Sequence, residues 1–130
     1  MAAALIRILL SVAAVTVLAA ANGAVLSPED PEVLKAANFA ISTYNQFNNN
    51  NNPYAYKLLS VESATAQIYP PARVKYSLWV SVGQTVCKNR PDISLTQCAL
   101  QNTHTMTCRF VVLAVPNSAL PSYLLMDQCQ

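Results

Sequence analysis

Four cysteines and one histidine have the widest chemical reach in this 130-residue chain: Cys87, Cys98, Cys108, Cys129 and His104. A thiolate beside an imidazole would make a nucleophile and its base. Cysteine with histidine would make a zinc set. The spacing supports neither. No two cysteines stand two to four residues apart, and the single histidine offers one nitrogen ligand at most. An even number of cysteines, all in the C-terminal half, reads instead as two disulfides. Three pairings are open. Loop length favours the sequential one, Cys87–Cys98 with Cys108–Cys129, each closing a modest loop worth roughly 3 kcal/mol on the chain-entropy account.

Disulfides need an oxidising compartment, and the start of the chain supplies the route. Arg7 precedes an apolar run from Ile8 to about Leu18, followed by the small residues Ala19-Ala20-Ala21-Asn22-Gly23-Ala24. That order is a secretory signal peptide, assigned to residues 1–23, with the mature domain at 24–130. The run is too short for a comfortable membrane span and has no second copy. The mature protein is therefore expected to be extracellular and free of membrane anchors. Formal net charge is +2 for the whole chain, and +1 once Arg7 is removed. No basic stripe is left that would mark a nucleic-acid binder. No cofactor is implied, and no Asn-x-Ser/Thr glycan acceptor occurs.

The elements that must position the cysteines are one helix and a set of strands. Asp30-Pro31 reads as an N-cap followed by proline at the first helical position, with Ser27 to Asp30 as an earlier capping box. Val33, Ala36, Ala37, Ala40, Ile41 and Tyr44 form an apolar stripe, leaving Lys35, Asn38, Ser42 and Asn45 to face out. The helix should stop near Phe47, before the asparagine tract and Pro53. Beyond Pro53 the chain reads as strands. Tyr56 to Ile68 is irregularly patterned, Val74 to Val82 alternates cleanly with Gly83 as punctuation, Phe110 to Val115 is apolar, and Tyr123 to Met126 is short. Cys87 to Asn102 is a polar excursion. The fold class is α+β: one N-terminal α-helix packed on an antiparallel sheet of four or five strands. Trp79 falls on the face opposite Tyr76 and Leu78, as a surface aromatic or a contact residue.

Several segments together resemble the type 2, secreted cystatins. Leu26-Ser27-Pro28-Glu29-Asp30-Pro31-Glu32-Val33 and the helix end Tyr44-Asn45 are most similar to the cystatin M branch. Val74 to Leu78, the Gly83-Gln84-Thr85-Val86-Cys87 ending, Ala114-Val115-Pro116 and the four cysteines also follow the family pattern. The resemblance runs from Leu26 to Cys129. It implies a cystatin-like fold, the sequential disulfide pairing, and inhibition of papain-like (cathepsin type) cysteine proteases by a wedge with no chemistry of its own. A monomer is expected; the prolines of the first hairpin disfavour strand exchange.

The wedge of that family has three parts, and this chain departs from all of them. Tyr69-Pro70-Pro71-Ala72-Arg73 stands on the first-hairpin motif Gln-x-Val-x-Gly, with Tyr69 for the glutamine, Pro71 for the valine and Arg73 for the glycine. On the second hairpin Pro116 is kept, and Asn117 replaces tryptophan. Gly23, Val25 and Leu26 form the N-terminal segment. Some relatives also carry an asparagine, on the loop after the helix, that inhibits legumain. Counting forward from Tyr44-Asn45 places it at Asn49, and counting back from Tyr54 and Lys57 places it nearer Asn51, with Asn50 between. Asparagine also simply suits turns. The alternative is a non-inhibitory cystatin-fold binding protein whose edge serves another partner. An enzyme using cysteine and His104 is disfavoured because oxidised cysteines cannot attack. A cathelicidin-like precursor is disfavoured because no basic peptide follows Cys129.

Overall fold

The computed structural model describes residues 23–130, leaving aside the side chains of residues 102 and 103. The signal-peptide assignment lies outside the described residues except for Gly23. Five strands and one α-helix are present: β1 (Ala24–Leu26), α1 (Pro31–Phe47), β2 (Tyr54–Tyr69), β3 (Arg73–Lys88), β4 (Leu100–Ala114) and β5 (Tyr123–Cys129). The sheet is antiparallel, with spatial order equal to chain order.

The helix begins where its cap chemistry says it must. The Asp30 carboxylate accepts from the Glu32 and Val33 N–H groups, and Pro31 fills the first helical position. Ser27 does not form the expected capping box. Its hydroxyl accepts from the Glu29 N–H two residues on, which makes a separate turn before the helix. Val33, Ala36, Ala37, Ala40 and Ile41 are buried against Leu78, Val80, Val82, Phe110 and Val112. The three alanines let the helix axis approach the sheet closely, and Phe110, wholly buried, fills the space under Tyr44 at a ring separation of 6.3 Å.

Both disulfides pair as loop length favoured. Cys108–Cys129 ties β4 to β5, and Cys87–Cys98 ties the end of β3 to the connection that carries a single 3-10 turn, Leu95–Gln97.

Four further readings of local sequence are corrected. Asn45 does not face out; it is buried, for reasons given below. Gly83 does not end its strand, since β3 runs on to Lys88. Gly83 lies under the ends of Leu59 and Leu100, so that an added Cβ would meet Leu100 Cδ2 at 2.8 Å. The glycine marks a close approach rather than a stop. The polar excursion is shorter than expected because β4 starts at Leu100, pairing with Thr85. Ala24–Leu26, read only as an N-terminal segment, adds a strand to β2. The irregular pattern of β2 has a simple origin. Register shifts between Tyr54 and Tyr56, Leu58 and Ser60, and Val61 and Ser63 each reset the two-residue period.

Candidate functional site

The sheet gathers three of the sequence-predicted segments at one end. β1 lies beside the last turns of β2, with Ala24 opposite Ala66 and Leu26 opposite Ala64. Gly23 just precedes it at φ +90°, a backbone region that side chains disfavour, and packs beside Thr65 and Ala66. The β2–β3 hairpin closes on the Tyr69–Arg73 pair, leaving Pro70, Pro71 and Ala72 as an exposed three-residue tip. Val74 pairs with Ala114, so the chain leaving β4 enters the β4–β5 loop beside that tip.

The second loop is held by the helix. The Asn117 N–H donates to Glu32 Oε1 at 3.3 Å, and Lys35 Nζ donates to the Ser118 carbonyl at 3.0 Å. Within the loop, the Ser118 hydroxyl donates to the Val115 carbonyl at 2.7 Å and accepts from the Leu120 N–H. Asn117 has φ 57°, the left-handed region that asparagine tolerates better than most residues. The helix start and this loop crowd Tyr76 on the core face of β3. Burial, and then the Glu32 and Asp30 carboxylates, push its phenol up to about 12.

Exposed apolar side chains collect at this end. Val25 is 84% exposed, Ile68 63% and Leu120 60%, with Tyr69 beside them. Arg73 and Lys75 rest against aromatic rings: the Arg73 guanidinium lies 5.8 Å from the Tyr123 centroid, and Lys75 Nζ lies 5.4 Å from that of Tyr69. The edge is therefore apolar at its tips and cationic at its root.

The asparagine tract lies at the other end. β2 is 16 residues long, about 50 Å at ~3.3 Å per residue, and its first residue follows the tract. Asn48 closes the helix, its N–H donating to the Tyr44 and Asn45 carbonyls and its side chain to the Tyr44 carbonyl. The Asn51 and Asn52 N–H groups donate back to the Asn48 carbonyl. The Asn89 side chain donates to the Asn45 carbonyl at 2.7 Å and to that of Asn52 at 3.4 Å. The turn is tied at both ends, while Asn49, Asn50 and Asn51 are exposed.

Asn45 is the structural residue that helical periodicity misplaced. β1 covers only Ala64 to Ala66 of β2, so the first half of β2 has backbone groups facing away from β3 that need other partners. Asn45 supplies them: its Nδ2 donates to the Tyr56 carbonyl at 2.8 Å, and its Oδ1 accepts from the Tyr56 N–H at 3.0 Å. No periodicity reveals such a role, because the demand arises in another element.

These features define a chain of the cystatin family. The cystatin domain model matches residues 24–117, and the chain belongs to that family. It is similar to cystatin-2 of Crotalus adamanteus, at 36% identity over 94 residues covering 69% of this chain and 65% of that one. It is also similar to cystatin-F of Homo sapiens, at 32% over 95 residues covering 70% and 63%. The chain thus spans just under two thirds of the length of these relatives. Among solved structures, the crystal structure of dimeric human cystatin F superposes with a TM-score of 0.73 at 27% identity, covering 83% of this chain and 85% of that one. A salivary cystatin of the soft tick Ornithodoros moubata has the same fold, with a TM-score of 0.67 at 20% identity, 83% of this chain and 97% of that one. Members of the family are in general inhibitors of cysteine proteases. Among the described residues, no helix is long and apolar enough to cross a membrane.

Proposed function

We propose that the protein is a secreted inhibitor of papain-like cysteine endopeptidases that blocks the active-site cleft with the edge formed by Gly23–Leu26, Tyr69–Arg73 and Pro116–Asn117. The observation that carries the reading is the meeting of these three segments at one end of the sheet, with exposed Val25, Ile68, Tyr69 and Leu120 there. An apolar edge mounted on paired strands is largely preorganised, which lowers the ordering cost of binding. The two disulfides suit an extracellular setting and support secretion through residues 1–23. No covalent step is involved, and the protein is not an enzyme.

The edge is altered, and this sets the expected strength. Losing an interface anchor such as tryptophan typically costs about 2–4 kcal/mol, and each 1.4 kcal/mol is about a factor of ten. Asn117 and Arg73 together therefore move the affinity from the nanomolar toward the micromolar range. An inhibition titration of the mature protein against a papain-like enzyme tests the proposal. Saturable, competitive inhibition at or below about 10 μM supports it. No inhibition at that concentration would favour the alternative, a cystatin-fold binding protein whose edge meets a different partner.

A second reading concerns legumain, which cleaves after asparagine. The exposure of Asn49, Asn50 and Asn51 on a turn anchored by Asn48 and Asn89 supports it, because a tied loop loses less entropy on docking than a slack one. The two ends are far enough apart for both enzymes to bind at once. The same titration against legumain, repeated with Asn49→Ala and Asn51→Ala, identifies the residue that enters the specificity pocket; full inhibition by both variants would remove the tract from consideration.

A further inference from the structure

The β4–β5 loop, 115–122, has a polar residue where the family motif has tryptophan, yet it still presents a large apolar side chain. Asn117 turns the chain: its φ is 57°, and its N–H donates to Glu32 Oε1. Past the turn, Ala119, Leu120 and Pro121 are exposed, Leu120 to 60%. Leu120 borders a shallow cleft with Glu32, Lys35, Ala36 and Ser118, which puts it on the helix side of the edge. Tyr69 and Arg73 belong to the other side, because they alternate with the core-facing Tyr76 and Leu78 and share the face of Trp79. The two sides of the edge thus each carry an exposed apolar or aromatic residue.

The segment that carries Leu120 is fixed before any partner arrives. The Leu120 N–H donates to the Ser118 hydroxyl, and that hydroxyl donates to the Val115 carbonyl. Lys35 Nζ donates to the Ser118 carbonyl at 3.0 Å, tying the loop to the first turns of the helix. Pro121 adds a local restraint, since the residue before a proline is confined to extended backbone. An apolar side chain on a segment held in this way loses little freedom on docking. We propose that Leu120 is the apolar contact of the second loop, in place of position 117, and that Lys35 is the positioning residue that holds it there. The proposal rests on the wedge reading above. It fits a protease whose cleft wall is apolar where it meets Leu120 and polar where it meets Glu32 and Lys35.

The test is the inhibition constant of the mature protein and its variants against papain, with disulfides intact. Leu120→Ser removes apolar area that is buried only in the complex and should weaken inhibition about tenfold or more, against less than about threefold for Asn117→Ala. Lys35→Met keeps the stem of the side chain and deletes the donor to Ser118. It should weaken inhibition about threefold in the parent and hardly at all in Leu120→Ser, a coupling that general damage to the fold would not produce. Lys35→Arg, which can still donate, should match the parent. Phe47→Ser removes an apolar side chain that is 73% exposed at the far end of the helix, and should leave inhibition of papain unchanged. All of these sites are exposed, so urea midpoints should stay close to that of the parent. A parent that inhibits, with Leu120→Ser within about twofold of it, overturns this inference alone, as does a Lys35→Met effect that is the same with and without Leu120. No inhibition by the parent overturns the wedge reading and this inference with it.

Discussion

Replacing Asn45 with alanine should destabilise this domain more than any other change to a polar residue in the helix. The side chain is 4% exposed and closes two hydrogen bonds with the Tyr56 main chain, at 2.8 and 3.0 Å. Tyr56 is itself buried, so both its N–H and its carbonyl would be left without a partner and largely without water. Leaving a buried polar group unsatisfied costs about 1–3 kcal/mol, and two such groups place the loss near 3 kcal/mol. For a domain of this size that lowers the melting temperature by about 10–20 °C. Urea titration at neutral pH, with disulfides intact and the slope unchanged, measures it directly. Asn45→Asp separates the two bonds. Its carboxylate keeps the Tyr56 N–H but faces the Tyr56 carbonyl, which favours the protonated acid in the folded state, so the penalty should be full at pH 7 and shrink as pH falls toward about 4, where the protonated acid can donate. Gln46→Ala, one position on and exposed, should change stability by less than about 0.5 kcal/mol. If Asn45→Ala fell within the same limit, the account of how the helix is joined to β2 would be wrong.

Three further outcomes are expected. Tyr76 holds its proton more tightly when folded, to about 12 against an ordinary 10.0, so stability should be level below pH 10 and decline as pH rises toward 12; Tyr76→Phe should flatten that decline in urea titrations at pH 9 and pH 11. Cys108→Ser with Cys129→Ser opens a 21-residue loop and should cost about 3 kcal/mol or more, since Cys108 is wholly buried, whereas thiol titration of the oxidised parent should find no free cysteine. Arg73→Gly removes bulk and charge from the root of the hairpin tip and should tighten inhibition of a papain-like enzyme by up to about tenfold; unchanged or weaker inhibition would make Arg73 a working contact rather than an obstruction.

Much of the fold could be read locally because its causes are local. Asp30 and Pro31 set the start of the helix, the stripe from Val33 to Ile41 set its buried face, and the alternation from Val74 to Val82 set the face of β3. Cysteine number and spacing were enough to favour the pairing that forms, since nearby cysteines close the least costly loops. The family motifs likewise marked the three segments that meet at one end of the sheet, although they lie far apart in the chain.

What tertiary structure alone decided are the places where one element answers a need created in another. Helical period puts Asn45 outside; the open backbone edge of β2 draws it in. Gly83 looks like a stop until Leu59 and Leu100 are seen to occupy the space of its missing side chain. The bulges of β2 scramble a pattern that is regular in space. Arg73, Lys75 and Arg109 come from two strands, and the aromatic rings beneath them come from three. Charge along the chain shows no basic run there, because a sheet assembles a surface across strands and a sequence records only the order along them.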